Sequence, residues 1–227
     1  ALEIKKELGD RSSLAFSYAN IGTVYSTMGE VDKALEALRE ALRIRQELGE
    51  TRYVASTYNA IGLALDETDP VAALEEFKKA LAIREELGDR RGTAGTLANI
   101  GDMHRRLDRP DLAVASLTRA LAIADEIRAP VLQIEIYQHL AAAEAARGSF
   151  QAAYGWHQKY AALKDQTFNQ QNSDRLNRLN TAYEAKQREQ EIALLNTEKK
   201  RQQTMVVASV VVIGVLALAY AHRQRSE

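Results

Sequence analysis

One motif occurs four times along this chain at a spacing of about 40 residues: ALEIKKELGD from Ala1, ALREALRIRQELGE from Ala37, LEEFKKALAIREELGD from Leu74 and LTRALAIADEIRA from Leu117. A second motif lies upstream of each full copy, as YANIGTVYSTMGEVDKAL from Tyr18, YNAIGLALDETDPVAAL from Tyr58, LANIGDMHRRLDRPDLAV from Leu97 and YQHLAAAEAARGSFQAAY from Tyr137. Each unit therefore holds two amphipathic stretches of helical period joined by a turn. A single pair of helices cannot bury its apolar stripes alone, so stacked neighbours must make the core. On the first stretch Tyr18, Ile21, Gly22 and Tyr25 share a face; on the second, Ala34, Leu38 and Ala41 do. Gly22, Gly62 and Gly101 fall inside the first stretch, where glycine costs ~1 kcal/mol relative to alanine. That cost is sensible where another helix must approach closely. Ala34, Ala73, Ala113 and Ala153 supply the matching small surface from the second helix.

Composition agrees with an all-α chain. Ala, Leu, Glu, Arg, Lys and Gln dominate, there are 3 Pro and 12 Gly, and no stretch alternates polar and apolar residues long enough to make a sheet. Net charge is −1, slightly acidic up to Leu163 and slightly basic beyond, with no basic face of the kind that predicts nucleic-acid binding. The absence of cysteine excludes disulfides, cysteine-ligated metal and thiol chemistry. The chain starts in the middle of a helical pattern, without initiator Met or signal peptide, and is expected to be a fragment at both ends.

Beyond Leu163 the character changes. Residues 164–213 contain neither Gly nor Pro and are rich in helix formers, which predicts one long helix. Leu176, Leu179 and Tyr183 begin a heptad, Lys186 and Gln190 interrupt it, and Ile192 and Leu195 shift its register. Such a stripe suits a weakly encoded coiled coil and a homodimer; a polar helix packed beside the last repeat is the alternative. Residues 205–221, MVVASVVVIGVLALAYA, are an uncharged run. As a helix it reaches roughly 25 Å, near the ~30 Å of a bilayer core, and is a transmembrane candidate. A buried core helix would need an apolar shell, and the forty residues before it are almost wholly polar. Lys199, Lys200 and Arg201 before the run balance Arg223 and Arg225 after it, so charge does not set its orientation.

No constellation for catalysis or cofactor binding is present. His104, His139, His157 and His222 are scattered, none at metal-ligand spacing. His104 and His157 replace packing residues of the repeat, and His222 lacks the flanks of a phospho-acceptor box. There is no Gly-rich phosphate loop, and Glu75, Glu76, Glu85 and Glu86 read as solvated helix faces beside Lys78 and Lys79.

The paired motifs, the helical Gly and Ala positions and the linkers Gly9-Asp10-Arg11, Gly49-Glu50 and Gly88-Asp89-Arg90 resemble the tetratricopeptide repeat family in its variant of about 40 residues. The resemblance covers residues 1–168, as a partial unit 1–10 and units 12–50, 52–89, 91–129 and 131–168. It implies a right-handed solenoid of helix pairs, and the residue pattern beyond it adds a connecting helix (169–203), a transmembrane helix (204–221) and the start of a segment expected to be cytoplasmic (222–227). The second unit is one residue short between Asp66 and Pro70, and the fourth, with Ala141, His157 and Tyr160 in place of the usual residues, suits a capping role.

In the resembling family the first helices line a concave surface that binds peptides or partner helices, with an Asn just before the Gly holding the peptide backbone. Asn20 and Asn99 match that place and Asn59 sits one residue earlier. Helical spacing adds Thr23, Thr27, Asp102, Arg105, Arg106 and His139 to the face. These residues are either a groove for a protein or peptide ligand or simply exposed polar groups. The stretch LKDQTFNQQ followed by YEAKQREQEIALLNTEK before an apolar run resembles the juxtamembrane region of bacterial repeat-containing signalling proteins with nucleotide cyclase, histidine kinase or diguanylate cyclase outputs. The resemblance implies a sensory module anchored in the inner membrane by one span, repeats periplasmic and C-terminus cytoplasmic, with its output domain outside this sequence. The rival is a tail-anchored scaffold with no signalling output.

Overall fold

The computed structural model describes the backbone of residues 10–226, and the side chains of 10–170, 172–173, 177–193, 196, 199 and 214. Among the described residues there are eight helices and no strand: α1 (Arg11–Thr27), α2 (Val31–Glu47), α3 (Thr51–Leu65), α4 (Pro70–Glu86), α5 (Arg90–Arg106), α6 (Pro110–Glu126), α7 (Pro130–Ala146) and α8 (Phe150–Ser226). The chain divides into two compact units, Ala1–Thr167 and Phe168–Glu227.

Local chemistry fixes the helix ends in the first unit. Asp10, Asp69 and Asp89 accept the backbone N–H three residues on, each at 3.0 Å, as N-caps. Pro70, Pro110 and Pro130 open α4, α6 and α7, where the missing N–H has no partner to lose. Several helices close with the left-handed residue of a Schellman turn, as at Gly88 (φ +64°), where Asp89 N–H reaches back to Arg84 O at 2.9 Å. Asp108 and Arg128 fill that place in later turns despite their side chains. The second repeat, residues 52–89, departs from expectation in detail. Its missing residue does not shorten the turn; α3 stops early, at 15 residues against 17 for α1 and α5, and residues 66–69 form a longer turn.

Each helix from α1 to α6 packs on the next, and α1 also meets α3, as α5 meets α7. The glycines set how close the pairs come. A Cβ on Gly22 would lie 2.6 Å from Leu38 Cγ, one on Gly62 2.6 Å from Phe77 Cε1, and one on Gly101 2.5 Å from Leu117 Cγ. Leu38, Phe77 and Leu117, with Ala34, Ala73 and Ala113, are fully buried. In the last unit Ala141 replaces the glycine and His157 stands in the place of Leu117, but is exposed. Trp156 takes over instead, packing against the core of α5, α6 and α7 and stacking on Tyr137 with ring centroids 5.7 Å apart.

Seams between units follow a second rule. Arg45, near the end of α2, is buried; its Nη1 donates to Thr57 Oγ1 at 2.5 Å and to Tyr53 O at 3.3 Å on α3. Arg84 of α4 repeats the arrangement, donating to Thr96 Oγ1 and, at 2.9 Å, to Gly92 O of α5. At the third seam Ala124 and Ile136 stand in the two places, both fully buried. The polar partners are thus replaced together: an Arg facing Ile would lose its hydroxyl acceptor in the interior, whereas Thr57 and Thr96 also donate to their own helix, to Tyr53 O at 2.8 Å and Gly92 O at 3.0 Å.

In the unit from Phe168 the described side chains of the helix are exposed, the large apolar Phe168, Leu179, Tyr183 and Ile192 among them. Leu176 and Leu195 of the heptad stripe lie outside the described residues. Among the described residues no helix is long and apolar enough to cross a membrane. The side chains of the run 205–221, Gly214 excepted, are outside them, so that finding does not bear on the run.

Replacing Gly101 with Leu is expected to lower stability by on the order of 1–3 kcal/mol through overpacking. A Cβ on Gly155 meets nothing within 4 Å, so Gly155→Ala is expected to stabilise by roughly 0.5–1 kcal/mol. Urea titrations of both variants check the contrast, and equal effects would contradict the packing role. Arg45→Ala alone is expected to cost about 1–3 kcal/mol by removing its charged hydrogen bonds to Thr57 and Tyr53 and leaving the buried space beside Thr57 unfilled. Adding Thr57→Ile, which copies the third seam, should recover about 1 kcal/mol or more in a double-mutant cycle; strict additivity would refute the pairing.

Candidate ligand-binding face

The first helices α1, α3, α5 and α7 carry the nine residues that the sequence places on one face. On α1, Asn20, Thr23 and Thr27 are exposed. The two threonine hydroxyls turn back onto their own helix, Thr23 donating to Ala19 O at 2.9 Å and Thr27 to Val24 O at 2.7 Å. The other six residues are joined between helices. Asn99 Nδ2 of α5 donates to Asn59 Oδ1 of α3 at 3.3 Å, and Thr96 Oγ1 approaches the same oxygen at 3.5 Å. Asn59 meets Asn99 despite standing one position earlier in its repeat.

Asp102 is the hub of the rest. It is buried, yet four donor atoms surround its carboxylate: Arg105 Nε at 2.9 Å and Nη2 at 2.6 Å on Oδ1, Arg106 Nε at 2.8 Å on Oδ2, and His139 Nδ1 of α7 at 3.4 Å from Oδ1. The arginines reach it because they follow at i+3 and i+4 on the same helix, and His139 because α7 packs on α5. Burial alone would push the Asp102 carboxyl up. The hydrogen bond from His139 and those from Arg105 outweigh it and hold the group well below the usual carboxylate range. Arg106 also donates through Nη1 to Asp66 O at 3.2 Å, tying α5 to the turn after α3. Burial pushes the Asp66 carboxyl up, against the pull of Arg106.

The face is therefore a cross-linked polar surface on α3, α5 and α7, with unbonded guanidinium N–H groups left over on two fixed arginines. Its polar groups suit hydrogen bonding to peptide backbone and to acidic or amide side chains. Thr96 and Asp66 belong to this network and were not foreseen from the sequence; a Thr recurring at Thr57 and Thr96, 12 residues after an Arg, was the available signal.

Asp102→Asn is expected to cost about 1–3 kcal/mol, because two partly buried guanidinium groups lose their counter-charge. The carboxyl is depressed in the folded chain, so its contribution is complete above the unfolded value of about 3.9 and is lost as pH falls below it. Wild type should therefore lose more stability than the variant on going from pH 6 to below pH 4. Parallel acid titrations would refute this.

A model of the tetratricopeptide repeat matches residues 1–47, 13–86 and 53–126. No curated protein matches the chain. Among solved structures it is similar to aspartyl phosphate phosphatase F from Bacillus subtilis, at 19% identity over 69% of this chain and 42% of that one, with a TM-score of 0.65. It is also similar to a Rap protein complexed with competence and sporulation factor (18%, 67% and 43%, TM-score 0.62). A third is a signal transduction ATPase with a tetratricopeptide repeat sensor from Pyrococcus horikoshii (18%, 71% and 25%, TM-score 0.63). At these identities the likeness is one of fold, and the chain spans less than half the length of each of the three. The matched residues cover more than half of the sequence, and the chain belongs to the tetratricopeptide repeat family, its array being a protein-interaction module.

Proposed function

We propose that the array binds a protein or peptide ligand on the face of α1, α3, α5 and α7, and that it serves as the sensory part of a membrane-anchored signalling receptor. The observation that carries the reading is the cross-linked polar surface, in which Asn59 bonds Asn99 and Asp102 fixes Arg105 and Arg106. A surface built only for solvation has no need of a buried carboxylate at its centre. Two structural neighbours lend support, one complexed with a factor and one whose repeats are a sensor.

In this reading the superhelix is right-handed and the run 205–221 spans the inner membrane once. The repeats lie in the periplasm, and the helix before the run pairs with that of a second copy. A ligand that favours one of two arrangements of the array can then bias what lies beyond the membrane. The absence of Gly or Pro over residues 164–213 favours this over a plain anchor, which needs no such continuity. The output would be a nucleotide cyclase, histidine kinase or diguanylate cyclase.

Panning a random peptide library on the chain tests the first part. Enriched peptides should bind Asn20→Ala/Asn99→Ala about tenfold more weakly, roughly 1.4 kcal/mol, with the melting temperature nearly unchanged. Undiminished binding would remove the groove assignment. For the second part, expression of the full-length gene with assays for cyclic nucleotide synthesis and autophosphorylation should reveal an output. A stop codon near Glu227 would leave the tail-anchored scaffold instead.

A further inference from the structure

The polar face extends toward the N-terminal ends of α5 and α7. Gly95 precedes Asn99 by four residues and so shares its side of α5. Beside it, between the two helices, is a surface slot of about 410 Å³ lined by Arg84, Gly92 and Gly95 and, from α7, by Val131, Leu132 and Glu135. Val131 is 59% exposed, an apolar wall with nothing over it.

The first seam shows what is missing here. There Arg45 donates to Tyr53 O, and the Tyr53 ring lies over the guanidinium, 5.2 Å from carbon to centroid. At the second seam Arg84 makes the same bond to the backbone, but the residue in Tyr53's place is Gly92. No ring covers Arg84 from that position. Gly92 has a reason within the chain, since a Cβ would lie 2.9 Å from Arg84 Cδ and closer still to Asp89. Gly95 has none, for a Cβ there meets nothing within 4 Å. Its equivalents in the first two units are Phe16 and Ser56. Glycine is disfavoured inside a helix, and the one thing gained here is an open slot.

We infer that this slot receives an aromatic side chain of the ligand, its ring stacked on Arg84 as Tyr53 stacks on Arg45. Guanidinium groups attract ring faces, and Val131 and Leu132 offer apolar contact to the ring edge. An aliphatic side chain would fill the space without the stacking, and the lining, in which Arg84 and Arg91 balance Asp89 and Glu135, favours no net charge on the occupant. The inference rests on the groove reading above and supplies the ligand chemistry at one end of it.

The test has two arms on the 227-residue chain. In the first, N-acetyl-tyrosinamide is titrated while the Gly92 and Gly95 amides and the Arg84 Nε–H are followed by NMR, with N-acetyl-leucinamide as control. The tyrosine probe should give saturable shifts at all three, at least tenfold stronger in affinity than the leucine probe. Gly95→Phe, which fills the slot from within, should abolish them without lowering the melting temperature. Val131→Asp, at an exposed first-turn position that suits a carboxylate, provides a second variant and should weaken them at least fivefold. Equal response to both probes, or a response that survives both substitutions, overturns the inference. In the second arm, peptides enriched on the chain should carry an aromatic residue and lose affinity with Gly95→Phe. Enriched peptides without one sink the slot and spare the groove, whereas no enrichment at all counts against the groove and leaves the first arm to decide the slot.

Discussion

The close approach of paired helices at Gly22, Gly62 and Gly101 is the constraint on which the array depends. Each glycine removes the one side chain that would collide with Leu38, Phe77 or Leu117. With those three buried against bare backbone, the alanines at 34, 73 and 113 reach zero exposure and the two helices of a unit act as one block. The helix penalty of a glycine is small beside the burial of a large apolar side chain, ~1 kcal/mol against roughly 1.5–3. Where the glycine is lost, at Ala141, the opposing position is a histidine turned to solvent, and the last helix leans on Trp156 instead.

Blocks made this way are then joined by seams of two kinds, an inward-turned Arg with Thr or an Ala with Ile. The first kind ties guanidinium to backbone carbonyl and hydroxyl; the second is plain close packing. Both leave the outer side of the first helices free of core duty, so polar residues there can be spent on contacts between units. Asn59 with Asn99, and Asp102 with His139, are such contacts. A partner bound to this surface would press on joints between units, which is how a repeat array can turn binding into a change of curvature.

Much of the fold was legible because it is written in small residues at fixed spacing. Gly22, Gly62 and Gly101 predicted the close pairs, and Ala141, His157 and Tyr160 mark an atypical final unit, though the packing of Trp156 there was not foreseen. The face was legible as a set of positions and much less as a network. Helical spacing places Arg105 and Arg106 near Asp102, but the burial of that carboxylate depends on α7 arriving with His139. Asn59 seemed out of register by one residue, yet a side chain spans that distance. Arg45, buried, and Arg84, half-buried, looked like ordinary charged residues of a surface helix; only the joint change to Ala124 and Ile136 betrays their partners. The early end of α3 was also hidden, since a one-residue deletion does not say whether a helix or a turn absorbs it.

The central claim is that the ligand lies on the face made by the first helices and nowhere on the outer face of the second ones. Placing a photoreactive benzoylphenylalanine at Ser56 or Thr23, and in separate chains at Lys78 or Thr118, tests it directly in cells expressing the intact protein. The account predicts one discrete cross-linked product from Ser56 and Thr23 and none from Lys78 and Thr118. The same product from the outer positions, with none from the inner ones, would contradict it.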